Sequence, residues 1–119
     1  MMPNVRRRTA VLLFIASLSA CGTTPMTTCP NDLPATCPSP APSWATDVQP
    51  TMQRTCLQCH AAGQNAPTLV TWDQVHAQRT TMLRQVFSCR MPQADGGVTL
   101  TATERAAMLG WLVCDAPQN

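Results

Sequence analysis

Five residues constrain this chain more than any others: Cys56-Leu57-Gln58-Cys59-His60, a C-x-x-C-H run in a sequence of 119 residues that holds seven cysteines. Two thiols separated by two residues share one helical turn, and the histidine that follows brings an imidazole to the same turn. This is the attachment signature of haem c: both thiols add across the vinyl groups as thioethers, and the histidine reaches the iron as an axial ligand. Two other chemistries use the same residue types. A thioredoxin-like redox pair places C-x-x-C after a strand in a βαβ setting, and the chain shows no alternating strand pattern. A zinc site would add Cys89 or Cys114 to Cys56, Cys59 and His60, although an oxidising compartment disfavours loose thiols.

The N-terminal segment sends the chain to such a compartment. Arg6, Arg7 and Arg8 precede the apolar run 10–16, which is too short to span a bilayer permanently, so residues 1–20 read as a secretory leader. Leu18-Ser19-Ala20-Cys21 looks like a bacterial lipobox, which makes Cys21 the site of diacylation. Two acyl chains anchor a protein stably where one does not. The expected location is therefore the bacterial cell envelope, lipid-anchored and facing the periplasm. The eight basic residues are all arginine, and beyond residue 20 five of them face six acidic groups. That near-neutral balance gives no electrostatic reason to expect nucleic-acid binding.

Residues 21–45 read as a lipidated Pro/Thr-rich tether, with seven prolines between Pro25 and Pro50 and no periodic apolar pattern. Cys29 and Cys37 lie inside it, where a small local disulfide loop is the expected fate, with free thiols or a bridge elsewhere as the alternatives. Residues 46–117 form the folded part, all-α and of about three helices. Asp47 is the expected cap of the first, with Pro50 in its first turn and Val48, Met52, Cys56 and Cys59 on one side. Thr71-Trp72-Asp73-Gln74 opens the second as a capping box, and Met91-Pro92 stops it. Thr101-Ala102-Thr103-Glu104 opens the third, along which Ala106 and Gly110 would let a neighbouring helix approach closely. Cys89 and Cys114 end the second and third helices and form a candidate bridge closing a loop of about 25 residues, worth around 3 kcal/mol. One lipidated cysteine, two thioethers and two disulfides then account for all seven.

The distal position is the more open question. Met91 follows the second helix, where a loop turns its thioether back towards a haem edge, and a thioether on iron raises the reduction potential. His76, at the border of the apolar stripe, offers bis-histidine ligation instead. Met82 and Met52 read as core. Arg79 either reaches a haem propionate or snorkels from a partly buried stem.

Together Val48-Gln49-Pro50, Cys56-Leu57-Gln58-Cys59-His60, Arg90-Met91-Pro92, Thr99-Leu100-Thr101 with Glu104-Arg105, and Trp111-Leu112 resemble the small monohaem c-type cytochrome domains of bacterial lipoproteins. The resemblance covers about residues 46–117. It implies a cytochrome c-like fold around one covalently bound haem c, with thioethers at Cys56 and Cys59 and iron ligation by His60 and Met91. It further implies a single-electron carrier between a redox protein donor and acceptor, with no substrate turnover and hence no catalytic residue. A haem-based sensor or small-ligand binder with an open distal site is one alternative. A non-haem, disulfide-stapled structural lipoprotein is the other.

Overall fold

A computed structural model describes residues 28–119. The expected leader and the lipidation site Cys21 lie outside the described residues. Those described residues form helices and loops with no strand. None of their helices is long and apolar enough to cross a membrane.

Helix α1 is a continuous run over 44–60, in which wide π turns at Trp44–Val48 and Met52–Cys56 alternate with α-helical Gln49–Thr51 and Leu57–His60. The wide turns flank Pro50, which has no N–H to donate and whose ring crowds the carbonyl four residues earlier. The run starts earlier than the sequence suggests. Ser43 is its cap, with its hydroxyl accepting from the Thr46 amide, and Asp47 reaches back to accept from the Ser43 N–H at 2.7 Å. Asp47 therefore completes the cap from inside the helix, and Pro50 falls in the helix interior.

The expected second helix is broken at Gln78 into α2 (Trp72–Ala77) and α3 (Arg79–Phe87). Helix α4 spans Ala102–Val113. Both capping boxes form, Thr71 with Gln74 and Thr101 with Glu104. Each satisfies two helix-end donors reciprocally. Arg54 on α1 pairs with Glu104, so the cap of α4 also ties it to α1. The Thr101 amide, then Arg54, hold the Glu104 carboxyl below the usual carboxylate range.

The core lies between α1, α3 and α4. Val48 and Met52 of α1 meet Val86 and Met82 of α3 and Met108, Leu109, Trp111 and Leu112 of α4, with Val75 and Leu69 closing one end. Trp44 and Trp111 pack ring against ring at 5.4 Å between centroids. The Trp111 indole N–H donates to the Pro117 carbonyl, and that of Trp72 to the Ala116 carbonyl, so Trp111 is buried and Trp72 half-buried without losing their polar handles.

Segment 28–43 is extended, as its prolines dictate, but it is bonded to the helices rather than free of them. The pairing of its cysteines differs from the sequence expectation. Cys29 joins Cys89, and Cys37 joins Cys114, instead of Cys29 with Cys37 and Cys89 with Cys114. All four expected disulfide cysteines are thus bonded, with the partners exchanged. The physical reason is the course of the segment, which runs past the end of α3 and then the end of α4. There it brings each pair of Cα atoms to 5.8 and 4.7 Å, within bridging range. Gly110 has the same explanation. A Cβ there would stand 3.0 Å from Pro38 Cγ and 3.2 Å from Pro42 Cγ, so the close neighbour is this segment and not another helix.

Arg105, buried on α4, completes the attachment. Its guanidinium donates twice to the Asp32 carboxylate at 2.8 Å, and also to the carbonyls of Val86 and Phe87 at the end of α3. The bidentate fork uses the geometry for which arginine is suited. Arg105 holds the Asp32 carboxyl below its ordinary range.

Candidate functional site

The C-x-x-C-H residues occupy the end of α1. Cys56 closes the second wide turn, and Cys59 and His60 sit in the last α-helical turn. Beyond it the chain loops back, the Leu69 amide donating to the His60 carbonyl at 2.9 Å, which returns Pro67 to the histidine ring. Nδ1 of His60 lies 2.7 Å from the Pro67 carbonyl. With Nδ1–H donating there, the lone pair is on Nε2, the tautomer and orientation that a metal-ligating imidazole requires.

Met91 reaches the same region by a different route. Cys89, at φ 56°, is in the left-handed conformation and reverses the chain after α3. The amides of Arg90 and Met91 both donate to the Gln85 carbonyl, which hangs Met91 on the helix it follows.

These residues meet at one cavity of about 440 Å³. Its lining includes Cys56, Cys59 and His60 from α1, Met82 and Val86 from α3, and Met91 and Pro92 from the following loop. The volume lies within the ordinary range of cofactor sites, and the lining is mainly apolar with a few placed polar groups. No lysine, arginine, aspartate or glutamate lines it. The polar side chains are Thr55, Asn65, Gln78, Thr81, Gln85 and Gln93.

Cys56 and Cys59 are the free cysteines of the described residues. Burial pushes the Cys56 thiol up to about 11, with the charge of Arg54 pulling the other way. A thiol raised so far is a poor nucleophile at neutral pH. The zinc alternative loses its fourth ligand, because Cys89 and Cys114 are both in disulfides. Among the described residues no group of three or more His, Cys, Asp or Glu is arranged to hold a metal ion. The donor set at the cavity instead fits a covalently bound haem, which would take its iron ligands from one imidazole and one thioether.

The other candidates fall elsewhere. His76 stacks on Trp72 at 4.6 Å between ring centroids and does not line the cavity. Met52 is 1% exposed in the core. Met82 is buried and does line the cavity, beside Met91. Arg79 pairs with Asp115 at 2.6 Å and donates to the His76 carbonyl, so neither the propionate contact nor a free snorkelling head describes it.

Three features escape a reading of the sequence. The Pro67 carbonyl is a backbone group with no sequence signal. Gln78, Thr81 and Gln85 form a polar row at i, i+3 and i+7, visible as a pattern but without meaning until the cavity is known. Thr55 is 2% exposed, and among the described residues its hydroxyl is the buried side-chain polar atom left without a hydrogen-bond partner. Such an orphan costs about 1–3 kcal/mol. Comparison of the chain with protein-family models, with curated proteins and with solved structures gives no match.

Proposed function

We propose that this chain is a single-electron carrier of the bacterial envelope. Cys56 and Cys59 would hold one haem c through thioethers, and His60 and Met91 would supply the ligands to its iron. The observation that carries this reading is the shared cavity. Both motif thiols are free and line it together with His60 and Met91, while four other cysteines are consumed in disulfides.

The haem iron would supply the chemistry, cycling between its ferrous and ferric states. The chain's own residues do the rest. The Pro67 carbonyl orients His60, the Gln85 carbonyl fixes the backbone of Met91, and Met82, Val86, Leu69 and Leu100 offer an apolar wall. Apolar surroundings and a thioether ligand both favour the reduced state and raise the potential. No acid, base or nucleophile is needed, because the reaction is electron exchange with a redox protein donor and acceptor. Diacylation of Cys21 would hold the domain at the membrane surface. The resemblance to small monohaem c-type cytochrome domains supports the same reading.

The test is an alkaline pyridine haemochrome spectrum of the chain produced with a cytochrome c maturation system, after denaturation and acid-acetone extraction. Haem that stays with the polypeptide and shows the band of two thioethers is the expected result. Extractable haem, or none, would overturn the proposal in favour of a disulfide-stapled structural lipoprotein. Met91→Ala should then lower the reduction potential and admit carbon monoxide. A variant that keeps the parent spectrum and potential would remove Met91 from the iron and leave Met82 to be tested in the same way.

A further inference from the structure

The Thr55 hydroxyl has no partner within the described protein, although it is buried and lines the cavity one residue before Cys56. The other buried polar side chains are satisfied. The Thr51 hydroxyl donates to the Asp47 carbonyl at 3.1 Å, and the Arg105 guanidinium is held by Asp32 and two carbonyls. Threonine and valine have nearly the same shape, so valine would fill this place without burying an unmet hydroxyl. We propose that Thr55 is a positioning residue whose hydroxyl bonds an acceptor oxygen of whatever completes the cavity. This inference rests on the haem reading above.

The chemistry of that acceptor is constrained by the lining. The titratable side chains facing the cavity are Cys56, Cys59 and His60. Arg54, Arg79 and Arg105, on the surrounding helices, are committed to Glu104, Asp115 and Asp32, and Arg84 of α3 and Arg90 before Met91 do not line the cavity. An oxygen in the cavity therefore depends on neutral donors, of which Thr55 is buried and Gln78, Thr81 and Gln85 form the row on and before α3. Haem carries such oxygens on its two carboxylates, and an ordered water is the other source. A carboxylate without a countercharge keeps its proton to higher pH, whereas a water does not titrate in the accessible range.

The experiment compares the haem-loaded wild type with Thr55→Val and Thr55→Ser. Haemochrome confirms covalent haem in each, and thermal midpoint and reduction potential are then followed from pH 5 to 9. Thr55→Val should keep its haem, melt about 4–8 °C lower, and shift in potential. Thr55→Ser, which retains the hydroxyl, should stay near the wild type in potential. A pH-dependent step in the wild-type potential that Thr55→Val moves to higher pH identifies a carboxylate, and a uniform offset at all pH values identifies a water. Thr55→Val with unchanged potential and an equal or higher midpoint would overturn the proposal, since removing an orphan hydroxyl stabilises. Equal shifts in potential for Thr55→Ser and Thr55→Val would also overturn it, by assigning the effect to the methyl group. Absence of haem from the wild type would overturn the haem reading and this inference with it, and haemochrome separates that failure from the others.

Discussion

Around segment 28–43 the chain closes on itself. Two disulfides, a bidentate arginine and a glycine cut to fit two proline rings bind the segment to the helices, and among the described residues no buried side-chain polar atom there lacks a partner. Around the cavity the same helices leave about 440 Å³, two free thiols, a pre-oriented imidazole and an orphan hydroxyl. One region is cross-linked and ion-paired by the polypeptide itself, and the other gathers free thiols, an imidazole and a thioether around one cavity. A chain with so few large aromatic side chains has a small core, and cross-links supply part of its stabilisation.

Cross-link removal should give the largest effect. Replacing Cys37 and Cys114 together by alanine opens a closure of 77 residues and should cost about 4 kcal/mol on chain-entropy grounds. Denaturant unfolding measures it. A loss below about 1 kcal/mol would mean that the segment contributes little to the closed region.

On the cavity side the contrast is kinetic. Burial raises the Cys56 thiol from 9.0 to about 11, and a haem-free chain carrying Cys59→Ser, with its disulfides intact, leaves that thiol alone to be followed. Its thiolate fraction at pH 8 is then roughly 100-fold below that of an ordinary thiol. Iodoacetamide should therefore alkylate Cys56 far more slowly in the folded chain than in urea, with the rate rising towards pH 11. Because the folded state disfavours the thiolate, this group's contribution to stability is present below pH 9 and is lost as the pH rises through 11. Equal rates in the folded chain and in urea would show the cavity wall to be open.

Arg105→Ala would strand the Val86 and Phe87 carbonyls and Asp32 at once. The expected loss is about 2 kcal/mol, because Asp32 is partly exposed and regains water. A double-mutant cycle with Asp32→Asn checks the coupling. The smallest effect belongs to Gly110→Ala. Helix propensity favours alanine by about 1 kcal/mol, but overpacking against two rigid rings costs about 1–3 kcal/mol. The net should be a loss of about 1 kcal/mol in the intact chain, and a gain in stability would show that the proline segment can step back.

Much of the molecule is legible in the sequence where the determinants are local. The capping boxes at Thr71 and Thr101 form because cap and acceptor stand three residues apart in the chain. Cys56, Cys59 and His60 share a helix end because their spacing admits little else. Asp47 misleads for an equally local reason: Ser43 competes as cap four residues earlier, and the two act together. The Met91 expectation depended on Pro92 ending a helix, while its actual support, the Gln85 carbonyl, depends on the left-handed Cys89.

The sequence by itself determined the all-helical character, the two capping boxes, the thiol–imidazole turn and the number of cysteines left for disulfides. Each follows from residues within a few positions of one another. The tertiary structure alone decided which cysteines pair, what stands over Gly110, which carbonyl orients His60, and that Thr55 lacks a partner. Each of these depends on where distant segments come to rest: pairings across 60 and 77 residues are set by the course of the chain in space. No local pattern encodes that course, because many placements of an extended proline-rich segment satisfy the same local chemistry and differ only in what they bury.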